Sequence, residues 1–183
     1  HSDNKSQKNF INSFVNYSKK IRPIDTQLFA GLQYSNFDQD LSSLAQNNFN
    51  DTQFEWALNS NQKFNVGVFS GRIDLEKKFK NEMKLEVGGL YLSAKAKTDF
   101  EIFNFETNNT VSSMYNFDEK NSAGYAQLSG SIKKIAYSVG FRVENTDILG
   151  KFINDQEPLI DKNYTDFFPK AQVDIPIDST KSI

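Results

Sequence analysis

The 183-residue chain contains no cysteine, so disulfides, thiolate nucleophiles and cysteine-ligated zinc are excluded, and cysteine usage says nothing of its redox compartment. Its one histidine is His1, which comes close to excluding a Ser-His-Asp arrangement or any other catalysis that needs a histidine base. An excess of one charge sign is also missing. With 21 basic against 23 acidic residues the formal net charge is −2, and no global positive field recommends nucleic acid as a partner. The longest notable apolar run, 87–92, falls far short of the roughly 20 residues a spanning helix needs, so no transmembrane helix is expected. No Gly-rich phosphate loop opens a helix. The amino terminus lacks a charged region followed by an apolar one and lacks an initiating Met, and the chain stops just after a turn signal at 178–181. Both ends are therefore expected to be cut ends of a longer protein.

What is present is aromatic and alternating. Aromatic residues make up 14% of the chain, too many for a disordered segment, while an apolar content of 38% is low for a packed soluble core. The stretch 120–146 is the clearest. Ile135, Tyr137, Val139, Phe141 and Val143 take every odd position, and Ala136, Ser138, Gly140, Arg142 and Glu144 take every even one. Successive side chains of a strand point to opposite faces, so this arm has one apolar face and one small, polar or charged face. The preceding arm sets Gly124, Ala126, Leu128, Gly130 and Ile132 against Ala123, Tyr125, Gln127, Ser129 and Ser131, and Lys133 and Lys134 close the hairpin.

The same period marks strands over 9–19, 26–36, 63–79, 83–97 and 164–177, which makes about seven with the central hairpin. A phase slip near Leu90 suggests a bulge. Short turns are expected near 20–25, 80–82, 133–134 and 178–181, with Lys80 and Asn81 joining the two longest strands, 63–79 and 83–97. Long loops are expected at 37–62, 99–118 and 149–163, where the period is lost and Asn, Gln, Asp and Ser accumulate. In up-and-down order all short turns fall at one end and all long loops at the other. The fold class is thus all-β, an antiparallel up-and-down meander forming part of a transmembrane outer-membrane β-barrel, with 1–183 as one partial barrel domain.

Three segments carry a family resemblance. They are 121–129 (NSAGYAQLS), 137–146 (YSVGFRVENT) and 163–169 (NYTDFFP). Together they resemble the barrel of the TonB-dependent receptor family, and more narrowly its Bacteroidetes-type branch, in which Ala-x-Tyr-x-Gln-Leu is followed by Gly-Leu-Arg-x-Glu and Tyr-x-x-x-Phe-Pro. Phe141 stands where Leu is usual. The resemblance is strongest over 118–175. It implies a receptor in the cell outer membrane that actively takes up a nutrient and has no enzymatic activity or cofactor. Its implied partners are outer-membrane lipid, the remainder of the barrel with a plug inside it, an inner-membrane energy-coupling protein and a surface lipoprotein. No plug is recognised in these residues, and the motifs are silent about the substrate.

No catalytic, cofactor-binding or metal site is assigned, and the substrate-binding residues are unknown. Arg142 and Glu144 are expected to be lumen charges paired across strands. Phe100, Phe103, Phe105 and Trp56 fit a membrane-interface girdle or loop packing better than a ligand site. Asp38 and Asp40 lack the further ligands of a calcium loop. The tight turns are basic (Lys19, Lys20, Arg22; Lys77, Lys78, Lys80; Lys133, Lys134), whereas 99–119 holds Asp99, Glu101, Glu106, Asp118 and Glu119 with no Lys or Arg, so the two rims are expected to carry opposite fields. The competing reading is a soluble antiparallel β-barrel or sandwich that binds a lipid or small molecule. Alternation serves either fold, but a soluble barrel needs bulky side chains on its inner face, and here the bulk lies on the face opposite the charges.

Overall fold

A computed structural model describes residues 2–49, 53–79, 82–178 and 181–182. Seven strands form one antiparallel sheet in sequence order: β1 (Ser2–Ile21), β2 (Thr26–Phe49), β3 (Gln53–Lys78), β4 (Lys84–Asn104), β5 (Asn109–Ile132), β6 (Ile135–Phe152) and β7 (Ile160–Asp174). A minor hairpin, β8 (Pro176–Asp178) and β9 (Lys181–Ser182), follows. The one helical element among the described residues is a 3-10 turn, Arg22–Ile24.

Ladder register aligns the apolar face of every strand. Tyr17, Ala30, Ile73, Gly89, Gly124, Val143 and Phe167 form one continuous cross-strand row, and the alternating neighbours of each fall on the same side. On β6 the apolar run 135–143 is about 26 Å long at 3.3 Å per residue, close to the roughly 25 Å apolar band of an outer-membrane barrel. The band is oblique to the ladder. Its upper edge is Tyr34 on β2 but Phe167 on β7, four residues lower by register, and its lower edge drops equally from Leu28 to Val173. A fall of about 13 Å over five spacings of about 4.8 Å corresponds to strands tilted by roughly 30°, near the tilt of transmembrane barrel strands.

Exposure is inverted relative to a soluble protein. Ile73 and Val139 are each 56% exposed, whereas the side chains of Asp74 and Glu144 on the other face are 18% and 26% exposed. Among the described residues the only buried apolar one is Ala123, so no second layer covers the sheet. Aromatic side chains mark the band's upper edge, with Phe69 and Tyr91 rings 6.5 Å apart and Phe141 stacked on Phe167 at 6.0 Å. An exposed apolar band bordered by aromatics is matched to hydrocarbon, not to water.

The expected long loops are mostly strand. β2 continues to Phe49 and β3 begins at Gln53, so 37–49 and 53–62 form a paired extension that rises roughly 50 Å along the strand beyond Tyr34, with 50–52 outside the described residues. Period two disappears there because both faces meet water, while the backbone ladder continues regardless. Polar side chains reinforce it: Asn36 Nδ2 donates to Asp38 at 2.6 Å, Asn65 Nδ2 donates to Asp38 and to Asn36, and Ser43 Oγ donates to Asn4 at 2.5 Å. Likewise 99–118 is not a loop, because β4 runs to Asn104 and β5 starts at Asn109. Asn104 Oδ1 accepts from the backbone N–H groups of Glu106 (2.9 Å) and Thr107 (3.2 Å), and Asn108 takes φ 47 to complete the turn. The third connection shortens to 153–159. β3 is the longest strand at 26 residues, but β4, at 21, is exceeded by β2 and β5 at 24 each.

No bulge occurs at Leu90, which pairs with Arg72 in an unbroken ladder. The apparent slip arises because Leu90 and Leu92 make the opposite face apolar at that height. The turns fall at one end as expected. Asp25 is left-handed (φ 44) after the 3-10 turn, Lys133 takes φ 58, and Phe79 N–H donates to Met83 C=O at 2.8 Å; Lys80 and Asn81, and Ser179 and Thr180 of the expected turn at 178–181, lie outside the described residues.

Val139 sits mid-band and Ser138 on the opposite face. Val139→Arg should lower stability in bilayers by about 2–4 kcal/mol and Ser138→Arg by much less. Denaturant unfolding in vesicles measures this. A spin label at 139 should also relax with lipid-soluble oxygen, and a label there shielded from both oxygen and water would contradict lipid exposure.

Candidate functional site

The face opposite the band carries a connected polar wall. Arg72 Nε lies 2.5 Å from Asp74 Oδ2, two residues along β3, and the Tyr125 hydroxyl on β5 donates to Asp74 Oδ1. These reach across β4 because Gly88 pairs directly with both Asp74 and Tyr125 and has no side chain. A Cβ on Gly88 would sit 2.5 Å from Asp74 Oδ1 and 2.6 Å from the Tyr125 ring. The Arg72 guanidinium also lies 6.0 Å from the Phe29 ring centroid, within cation–π range.

A second group stands beside it. Arg142 binds Glu144 Oε2 through Nε (2.9 Å) and a terminal nitrogen (2.6 Å), and Asn121 Nδ2 donates to Glu144 Oε1 (2.7 Å) and to the buried Thr146 hydroxyl (2.9 Å). Arg72, Tyr125, Leu90 and Arg142 line one open cavity of about 350 Å³. Toward the turns, Lys84 pairs with Glu86 (3.0 Å) and Glu76 (3.9 Å), and Gln127 Nε2 donates to Glu86 (3.3 Å). The wall is therefore charge-neutralised side chain by side chain. Its guanidinium groups still present donors to whatever occupies the space in front of it.

The placement of the sequence candidates is mixed. Arg142 and Glu144 lie on the expected face but pair along their own strand, not across strands. Arg142 is opposite Tyr125 and Phe168, and Glu144 is opposite Ala123 and Asp166, so neither has an oppositely charged residue directly across the ladder. The four aromatics do not form one group. Phe103 stacks edge-on with Phe105 at 4.7 Å, Phe100 is on the opposite face from Phe103, and the Trp56 side chain lies outside the described residues. Asp38 is taken up by amide donors, and among the described residues no three potential metal ligands cluster. The acidic segment 99–119 is offset by Lys95 and Lys97, which pair with Asp118 (3.8 Å) and Asp99 (3.4 Å), so that rim is mixed and not acidic. Sequence reading missed Arg72, Asp74 and Gly88 as a unit with Tyr125. The available signal was Arg72 and Asp74 two apart on a strand, the same pattern as Arg142 and Glu144.

A tilted up-and-down sheet with an apolar band on one face and a neutralised polar wall on the other is the wall of a transmembrane β-barrel. Residues 19–183 match the outer membrane protein beta-barrel family, and the chain belongs to that family of the outer membrane. None of the curated proteins compared matches it in sequence. Among solved structures, the ferric preacinetobactin receptor BauA of Acinetobacter baumannii is similar at a TM-score of 0.59 and 10% identity, over 98% of this chain and 30% of that one. The ferric-catecholate import receptor Fiu of E. coli is similar at 0.59 and 10%, over 94% and 31%. The siderophore receptor PiuA of A. baumannii gives 0.55 and 11%, over 92% and 29%. The chain thus spans less than a third of the length of these receptors.

Gly88→Ala should displace Tyr125 from Asp74 and destabilise the protein by about 1–3 kcal/mol, as overpacking does. Gly124→Ala, whose Cβ meets nothing within 4 Å, should change stability by about 0.5 kcal/mol or less. Equal effects of the two in vesicle unfolding experiments would show that the Gly88 cradle is not required.

Proposed function

We propose that this chain is part of the barrel wall of a TonB-dependent receptor that actively imports a nutrient. The observation that carries the reading is the strand architecture: a tilted sheet whose lumen face is polar and charge-paired, with walls that rise far above the apolar band, superimposing on about 30% of the length of known receptors. In this reading the plug packs against the wall built by Arg72, Asp74, Tyr125, Arg142 and Glu144. Energy arrives from an inner-membrane coupling protein, and a surface lipoprotein sits over the raised strands. The chain contributes no catalytic group. The motifs at 123–128, 140–144 and 164–169 support the Bacteroidetes-type branch, and the covered share of the neighbours supports a segment of a larger barrel. The soluble barrel or sandwich gains no support from the exposed apolar band.

The test is genetic and works whichever solute the barrel carries. Strains lacking either the full-length protein or the energy-coupling protein are compared for uptake across iron chelates, corrinoids and oligosaccharides. Both should lose the same solute. A solute whose uptake needs the barrel but survives loss of the coupling protein would sink active import and indicate a passive pore.

A further inference from the structure

At the end of the sheet where the tight turns lie, the cations divide by face. Lys20, Lys78 and Lys84 are on the lumen face, and each has a carboxylate: Asp25 at 3.5 Å, Glu76 at 3.6 Å and Glu86 at 3.0 Å. Lys19 and Lys77 are on the apolar face, opposite Leu28 and Leu85, immediately beyond the lower edge of the band. Among the described residues neither has a carboxylate within 4.0 Å, and the same holds for Arg22, Lys133 and Lys134 on the turns. Lys77 Nζ lies 5.4 Å from the Phe79 ring, which anchors its stem at the band edge. Lys133 takes φ 58 at the first central position of the two-residue turn between β5 and β6. The opposite rim is mixed: its outward Lys95 and Lys97 carry Asp118 and Asp99, whereas Lys63, Lys120 and Lys151 have no carboxylate within 4.0 Å among the described residues.

We propose that this turn rim binds the phosphate headgroups of anionic phospholipids in the adjoining leaflet. The leucines at the lower edge of the band end in hydrocarbon, and the next outward position, two residues or about 7 Å along the strand, enters the headgroup layer. The three turns stand two strand spacings apart, about 10 Å, enough for separate headgroups. Five cations without carboxylate partners, continuous with a lipid-facing band, complement phosphate and not a zwitterionic or neutral surface.

The full-length protein in nanodiscs of phosphatidylethanolamine with phosphatidylglycerol tests this, with retained lipid counted by native mass spectrometry. Phosphatidylglycerol should be enriched over its bulk ratio, and the enrichment should fall as salt rises. Replacing Lys19, Arg22, Lys77, Lys133 and Lys134 by Gln should reduce it by about fivefold for each cation that touches a headgroup. The matched set Lys5, Lys63, Lys95, Lys97 and Lys151 to Gln, all well above the band, should leave it unchanged. A bulk lipid ratio on the unaltered protein, enrichment insensitive to salt, or equal loss in both sets would overturn the proposal. The salt series uses unaltered protein and so decides even where a variant fails to fold, and none of these readouts depends on which solute the barrel carries.

Discussion

Everything in this structure depends on pairing backbone N–H and C=O groups in a solvent that offers no hydrogen bonds. In hydrocarbon an unpaired peptide group costs several kcal/mol, so a chain without an apolar helix can cross only as a strand whose neighbours satisfy it on both sides. The ladder from β2 to β6 runs through the band without a register shift, and the one irregularity, between Asn47 and Asn48, lies far above it. Because pairing leaves no freedom in the backbone, specificity passes to the two faces. One meets lipid and is filled by Leu, Ile, Val and aromatic rings; the other carries the Arg, Asp, Glu and Tyr groups that a soluble core would exclude.

The charged wall follows from that division. Its ions are partly shielded from water, so each is held by a partner on the same strand or one strand away, and the partners are set by the sheet's geometry. Residues two apart on a strand share a face, which gives Arg72–Asp74 and Arg142–Glu144. Residues directly opposite on adjacent strands meet at about 5 Å, which gives Asn121–Thr146 and Gln127–Glu86, and the longer diagonal gives Asn121–Glu144. Tyr125 reaches Asp74 over two strand spacings only because Gly88 leaves the intervening position empty. The glycine is a packing element of the wall, and its normal strand dihedral shows that conformational freedom is not the reason for it.

Within the band the sequence was legible because two solvents press on the two faces. Val15, Leu32, Ile73, Val87, Leu128 and Val139 could be assigned to one side from alternation alone, and the ladder places all of them there. Above the band water wets both faces. Selection for alternation lapses, Asn, Ser and Gln enter the strands, and composition resembles that of a loop although the backbone remains paired over 37–49 and 53–62. The Arg72–Asp74–Tyr125 contact was hidden for another reason. It joins residues 51 positions apart through a glycine, and a single sequence carries no trace of register.

The raised part of the sheet poses a problem that the band does not, since a long paired surface in water invites further strands and aggregation. Charge placement answers it. On the outward face Asp40, Lys63 and Asp99 are consecutive cross-strand neighbours, and Lys95 faces Asp118 on the next strand. Opposite charges directly across the ladder strengthen the native register, while a one-residue slip would turn these charges to the other face and lose the pairing. The device that holds this register therefore changes with the solvent, from hydrophobic sidedness inside the membrane to complementary charges facing one another across the ladder above it. A single strand such as β3 carries both, with Phe69, Ile73 and Leu75 in the band and Lys63 and Asn65 beyond it.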